Sequence, residues 1–246
     1  MRDFFKGIID YIHLYLTKSR SPLYSFLFVM PLLLLYEFLI LQTGSTVRNG
    51  ADVLLKVLIS FLGVKGIAGF SIIIFITFCY VIYRDTIQGN EHVSSSFFLI
   101  MTGEAALYAI ILGPLVAKIT NKILYSKLSS VSGVTIKEQL IVSLGAGIYE
   151  EFVFRFVLVS ILIYAFSRFM DVPKFASIGF AIVWASFFFS GFHYVGVYAY
   201  DFQISTFLFR FLAGMILSFL YYFRGFGIAV YAHTFYDIFI SLALVG

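Results

Sequence analysis

Seven stretches of about 20 predominantly apolar residues follow one another along the chain, at 22–41, 66–83, 96–117, 139–166, 175–194, 204–223 and 227–245. A helix needs roughly 20 such residues to cross about 30 Å of hydrocarbon. In lipid its backbone groups must also be satisfied within the segment itself. The chain is therefore expected to be all-α, a polytopic membrane helix bundle of about seven transmembrane helices. Composition agrees, with 61% hydrophobic residues and 12% charged ones, about half the charge of an ordinary soluble domain. Mean hydropathy is +0.98. Such a chain cannot cover its own surface with polar groups, which excludes a soluble domain, a disordered segment and a nucleic-acid binder. The net charge of +4 reads as basic loops facing anionic lipid headgroups. The single cysteine, Cys79, excludes an intramolecular disulfide and a multi-cysteine metal cluster. Its apolar run, 71–83, gives it a buried structural role.

Two shorter pieces do not span. Residues 4–16 mix Phe, Ile and Leu with Lys6 and Asp10 and read, with Arg2 just ahead of them, as an interfacial amphipathic helix. Residues 52–62 carry Lys56 and read as interfacial or re-entrant. The organisation expected is an interfacial helix at 1–20, bracing helices at 21–138 and a four-helix core at 139–246. The lack of a convincing internal repeat disfavours an inverted-repeat transporter. Lys and Arg divide eight to seven between the two sides of the membrane, so charge sets no orientation.

The informative residues are ionisable groups inside the apolar spans: Glu37, Glu104, Glu150, Glu151, Arg155, Arg210 and Asp237, with His193 and His233. Each charge at a helix centre costs roughly 2.5–3.5 kcal/mol on insertion scales, so these groups must face one another or water. Glu151 and Arg155 stand at i and i+4 in the orientation that favours an ion pair. Glu150 points about 100° away, over the small residues Ser143, Ala146 and Gly147. One carboxylate is thereby neutralised, and the other is left for chemistry as a general base. The fifth span ends in Phe189-Ser190-Gly191-Phe192-His193. In the seventh, His233 and Asp237 are again i and i+4. Glu37, Glu104 and Arg210 are expected to pair between helices, Glu104 with Arg210 being one such pair.

Glu150-Glu151-x-x-x-Arg155, Phe189-x-x-x-His193 and His233-x-x-x-Asp237, in this order on apolar helices, resemble the signature of the CPBP intramembrane proteases. That family takes in the type II CAAX prenyl endopeptidases and the bacterial Abi proteins. Phe211-x-x-Gly214 resembles its smaller motif, and the likeness covers roughly 139–245. The resemblance implies glutamate-dependent hydrolysis of a peptide bond inside the membrane, with no cofactor and no metal. It makes Glu150 the base that activates a water and His193 the group that holds that water. His233 with Asp237 lies where the oxyanion would be stabilised, and Glu151 with Arg155 is supporting. The partners implied are membrane lipids and a peptide or protein substrate entering from the membrane, lipidated or otherwise membrane-associated. A chain this small without an apparent targeting signal reads as an integral protein of a bacterial cell (inner) membrane.

Two features depart from the resemblance. Asp237 stands where asparagine is common, and an ionised aspartate cannot donate to an oxyanion; it is expected to orient His233 instead. Glu150 lies about 16 Å from the start of its span, whereas His193 ends the next one, so either the fifth helix continues past Tyr194, the favoured expectation, or the fourth and fifth helices are offset along the membrane normal. Two rivals keep the residues and change the chemistry. One is a zinc-dependent intramembrane metalloprotease built on the two histidines, Glu and Asp. The other is a non-catalytic immunity factor, scaffold or proton-coupled transporter that uses the motif for packing or proton relay.

Overall fold

The computed structural model describes residues 1–44, 48–61, 76–77, 80, 83–84, 93–120, 135–195, 199 and 201–245, without the side chains of 2–3, 117–120 and 242–245. The fold is all-α. Its helices are α1 (Arg2–Lys18), α2 (Pro22–Thr43), α3 (Gly50–Phe61), α4 (Ser95–Thr120), α5 (Ile136–Phe169), α6 (Lys174–Phe192), α7 (Ile204–Arg224) and α8 (Phe226–Val245). Among the described residues, α2, α4, α5, α6 and α7 are long and apolar enough to cross a membrane. The 20 residues of α8 give it spanning length too. The second expected span, 66–83, lies outside the described residues except at 76, 77, 80 and 83, and Cys79 lies outside them.

Helix α8 sits at the centre, packed against α2, α4, α5 and α7. Its first two turns are predominantly apolar, and Ile228, Ala229, Val230 and Ala232, with Thr234 after them, have no exposure, as a helix enclosed by others requires. The Tyr231 ring stacks on Phe28 of α2 at 3.8 Å between centroids. Helix α5 begins at a capping box, in which the Glu138 N–H donates to Thr135 Oγ1 and the Thr135 N–H donates to Glu138 Oε2. Its middle, Ala146–Val159, is wound as a π-helix, a rare form that is frequent at functional sites. Gly147 opens this stretch against α8, where a Cβ would lie 2.8 Å from the Val230 carbonyl oxygen and closer still to Thr234 Oγ1. Gly214 does the same for α7, with room for a Cβ only 3.0 Å from the Phe189 ring of α6.

The hairpin of α5 and α6 corrects the depth expected for His193. Helix α6 does not continue past Tyr194; it ends at Phe192 with His193 as its C-cap. The two helices instead differ in length, 34 residues against 19, or about 50 Å against 28 Å. Glu150 stands 19 residues before Phe169, and His193 stands 19 residues after Lys174. Counted from their shared turn, the two groups are level. The end of α6 lies beside the middle of α5 because α5 extends well beyond it.

The expected pairing of Glu104 with Arg210 is replaced by a different one. Glu104 of α4 accepts two hydrogen bonds from Arg224, the Nη2 contact being 2.8 Å, and one from Tyr15. Arg224 also donates to Ser19 Oγ at 3.0 Å and to the Leu16 carbonyl at 3.5 Å. It thereby ties α1 to the bundle. Along that helix, α1 exposes Phe4, Phe5, Ile8, Ile9 and Ile12, consistent with an interfacial position. Arg210, about 21 Å further back along α7, donates to the Tyr194 hydroxyl at 3.0 Å. Helix α3 enters the bundle by its N-terminus: Ala51 and Asp52 are fully buried, whereas Phe61 is 82% exposed.

Overpacking a tight helix contact costs about 1–3 kcal/mol. Gly147→Ala should therefore lower the thermal midpoint in detergent by several degrees. Gly179→Ala on α6, where a Cβ would meet nothing within 4 Å, should leave it unchanged or slightly higher, and a melt of the two variants beside wild type checks both.

Candidate active site

The π-helical stretch of α5 carries Glu150, Glu151 and Arg155, all buried. Arg155 is fully enclosed. Its Nη1 lies 2.9 Å from Glu151 Oε1, and its guanidinium stacks 4.1 Å above the Phe189 ring. The same Glu151 oxygen is 2.7 Å from His233 Nδ1 of α8. One carboxylate therefore binds two basic groups, and this answers the expectation that Asp237 orients His233. Glu151 does so through Nδ1, whereas Asp237 Oδ2 stands 3.7 Å from Nε2, beyond hydrogen-bonding distance. The i,i+4 spacing brought Asp237 near the ring, but the facing helix supplied the closer acceptor.

His193 is fixed from behind. Its Nδ1 is 2.9 Å from the Phe189 carbonyl oxygen, which can only accept, so Nδ1 carries the proton and the neutral ring presents Nε2 as an acceptor. Phe189 separates the two imidazoles, with ring centroids 5.1 Å from His193 and 6.3 Å from His233. The Glu150 carboxylate is within electrostatic reach of His193, His233, Asp237 and Arg155. The structure thus brings Glu150, Glu151, Arg155, His193, His233 and Asp237 into one cluster. Among the described residues, no three His, Cys, Asp or Glu side chains form a set that could hold a metal ion.

One neighbour of this cluster escaped the sequence reading. Glu150 is not left bare: its Oε1 accepts a hydrogen bond from Asn49 Nδ2 at 2.8 Å. Asn49 stands just ahead of α3, 101 residues away in sequence. The only sequence signal was local, an asparagine followed by Gly50-Ala51-Asp52, which marks a helix start. Glu37 likewise accepts from Tyr149, at 3.3 Å.

Beside the cluster, where α6 stops, lies a recess of about 410 Å³ between α3, α5 and the end of α6. Leu54, Phe154, Phe187, Phe188, Phe192 and Val195 are among its apolar walls. Phe154 and Phe192 meet at 5.5 Å between ring centroids, and Phe192 adjoins His193. The ionisable cluster thus borders an open apolar recess.

Breaking a buried ion pair by removing one partner typically costs about 3–5 kcal/mol, because the other charge is left uncompensated. Arg155→Leu is therefore expected to lose most of its thermal stability. Arg155→Leu combined with Glu151→Gln should recover part of it, and differential scanning of the single and double variants decides.

Residues 133–239 match the family described as type II CAAX prenyl endopeptidase Rce1-like. No curated protein and no solved structure matches the chain significantly. The matched stretch contains every ionisable residue of the cluster on α5, α6 and α8, and it leaves out α3 with Asn49.

Proposed function

From the match of residues 133–239 to the type II CAAX prenyl endopeptidase Rce1-like family, we propose that this chain is a glutamate-dependent intramembrane endopeptidase. Its substrate is a membrane-associated or lipidated peptide or protein. The observation that carries this reading is the way both imidazoles are pinned through Nδ1. His193 is held by the Phe189 carbonyl and His233 by Glu151, so both turn Nε2 to the side away from their anchors.

The chemistry follows from these tautomers. A water between Glu150 and His193 meets two acceptors, a carboxylate oxygen and Nε2. Both of its protons are then engaged, and a lone pair is left for the scissile carbonyl carbon. Glu150 removes one proton as the oxygen attacks, and general-base assistance of this kind contributes about 10²–10⁴-fold. The C=O becomes an oxyanion, which needs a donor already in place. His233 can be that donor only as the imidazolium, with Nδ1–H on Glu151 and Nε2–H toward the oxyanion; Asp237 supplies counter-charge 3.7 Å from Nε2. Collapse breaks the C–N bond, and the proton held by Glu150 passes to the leaving amine. Glu151 and Arg155 support the cluster by fixing His233 and neutralising each other. The Phe-lined recess receives the apolar part of the substrate.

The test is cleavage of a panel of fluorogenic peptides, some prenylated and some leader-like, by protein purified in detergent. Wild type should cleave at least one with chelator present, and Glu150→Gln and His193→Ala should fall by 10²-fold or more. Activity lost to chelator and restored by zinc would replace this reading with a metalloprotease. A well-folded wild type that cleaves no peptide would favour the non-catalytic reading.

A further inference from the structure

Among the described residues of the N-terminal half, Asn49 places a polar atom on the Glu150 carboxylate, and it is held there by two separate anchors. The backbone carbonyl of Asn49 accepts the first helical hydrogen bond of α3, from the Val53 N–H at 3.2 Å. Its side-chain Oδ1 accepts from the Ala51 N–H at 2.8 Å, as at an N-cap. With Oδ1 committed, the amide has one orientation, and Nδ2 must face Glu150 Oε1. A flipped amide would set N–H against N–H and oxygen against carboxylate oxygen.

The first turn of α3 is itself clamped. Asp52, without exposure, accepts from the Tyr36 hydroxyl of α2 at 2.8 Å and pairs with Lys56 at 2.6 Å and Arg48 at 3.5 Å. Gly145 of α5 makes room, since a Cβ there would come 2.8 Å from Asn49 Cβ. Apart from Gly145, all of this anchoring lies outside the matched segment, 133–239.

We propose that Asn49 is a positioning residue for the general base: its N–H holds one oxygen of Glu150, fixes the carboxylate's rotation and leaves the second oxygen aimed at the water. This rests on Glu150 being the base. Helix α3 is then part of the catalytic apparatus and does more than brace it.

Asn49→Ser separates this role from capping, because serine keeps the N-cap but is too short to reach Glu150 as well. With a prenylated fluorogenic peptide as probe, kcat should fall about 10- to 100-fold, as expected for loss of a hydrogen bond to a charged group. KM should stay within twofold and the melting midpoint should match wild type. A kcat within twofold of wild type overturns the proposal, and so does a fall in kcat that comes only with a matching loss of thermal stability. A second measurement does not depend on turnover. The carboxylate stretch of Glu150, isolated in the infrared as wild type minus Glu150→Gln, should move in Asn49→Ser; an unmoved band overturns the contact. Failure of the base assignment reads differently, as unimpaired cleavage by Glu150→Gln.

Discussion

The Glu151 carboxylate is the fixed point of the structure. It has no exposure, and in a low-dielectric interior an uncompensated carboxylate is untenable. One of its oxygens lies within 3 Å of both Arg155 and His233. Arg155 is just as deeply enclosed and spreads its remaining charge over the Phe189 face. This arrangement links α5, α6 and α8. Turning any of the three would break either the pair with Arg155, the stack on Phe189 or the bond to His233. The close approach of α8 at Gly147 serves the same end, since a thicker residue there would push His233 away from Glu151.

What could be read from the sequence divides along a physical line. The all-α class, the Glu151–Arg155 pair and the spans depend on local spacing, and the structure has the first two and each expected span that falls on described residues. Relations between distant helices depend on register, which spacing does not contain. Glu104 met Arg224 instead of Arg210 because the axial offset between α4 and α7 decides which turn of α7 faces it. His193 proved level with Glu150 because α6 is short and α5 long, a difference hidden while apolar runs alone set the helix ends. Asp237 yielded its expected role to Glu151 for a similar reason: i,i+4 spacing places a side chain near a ring without saying which ring nitrogen a facing helix will reach. Asn49 was the hardest to foresee, a neutral residue in a short connection whose partner lies 101 residues on.

A short helix ending beside the middle of a long one creates a problem and a use. The last carbonyls of a helix have no partner within it, and inside a membrane they cannot be left bare. At the end of α6, the Tyr194 N–H answers the Gly191 carbonyl at 3.0 Å and the His193 ring answers that of Phe189. The need to satisfy a helix end therefore fixes the tautomer of His193, and with it the direction in which Nε2 can accept. Where α6 stops, its end, α3 and α5 border the recess walled by Leu54, Phe154, Phe187, Phe188 and Phe192. Helix termination and imidazole orientation are two consequences of one event in the chain, and the open apolar recess lies beside it. This explains why a histidine at the end of a span, unremarkable by composition, stands level with a glutamate deep inside another.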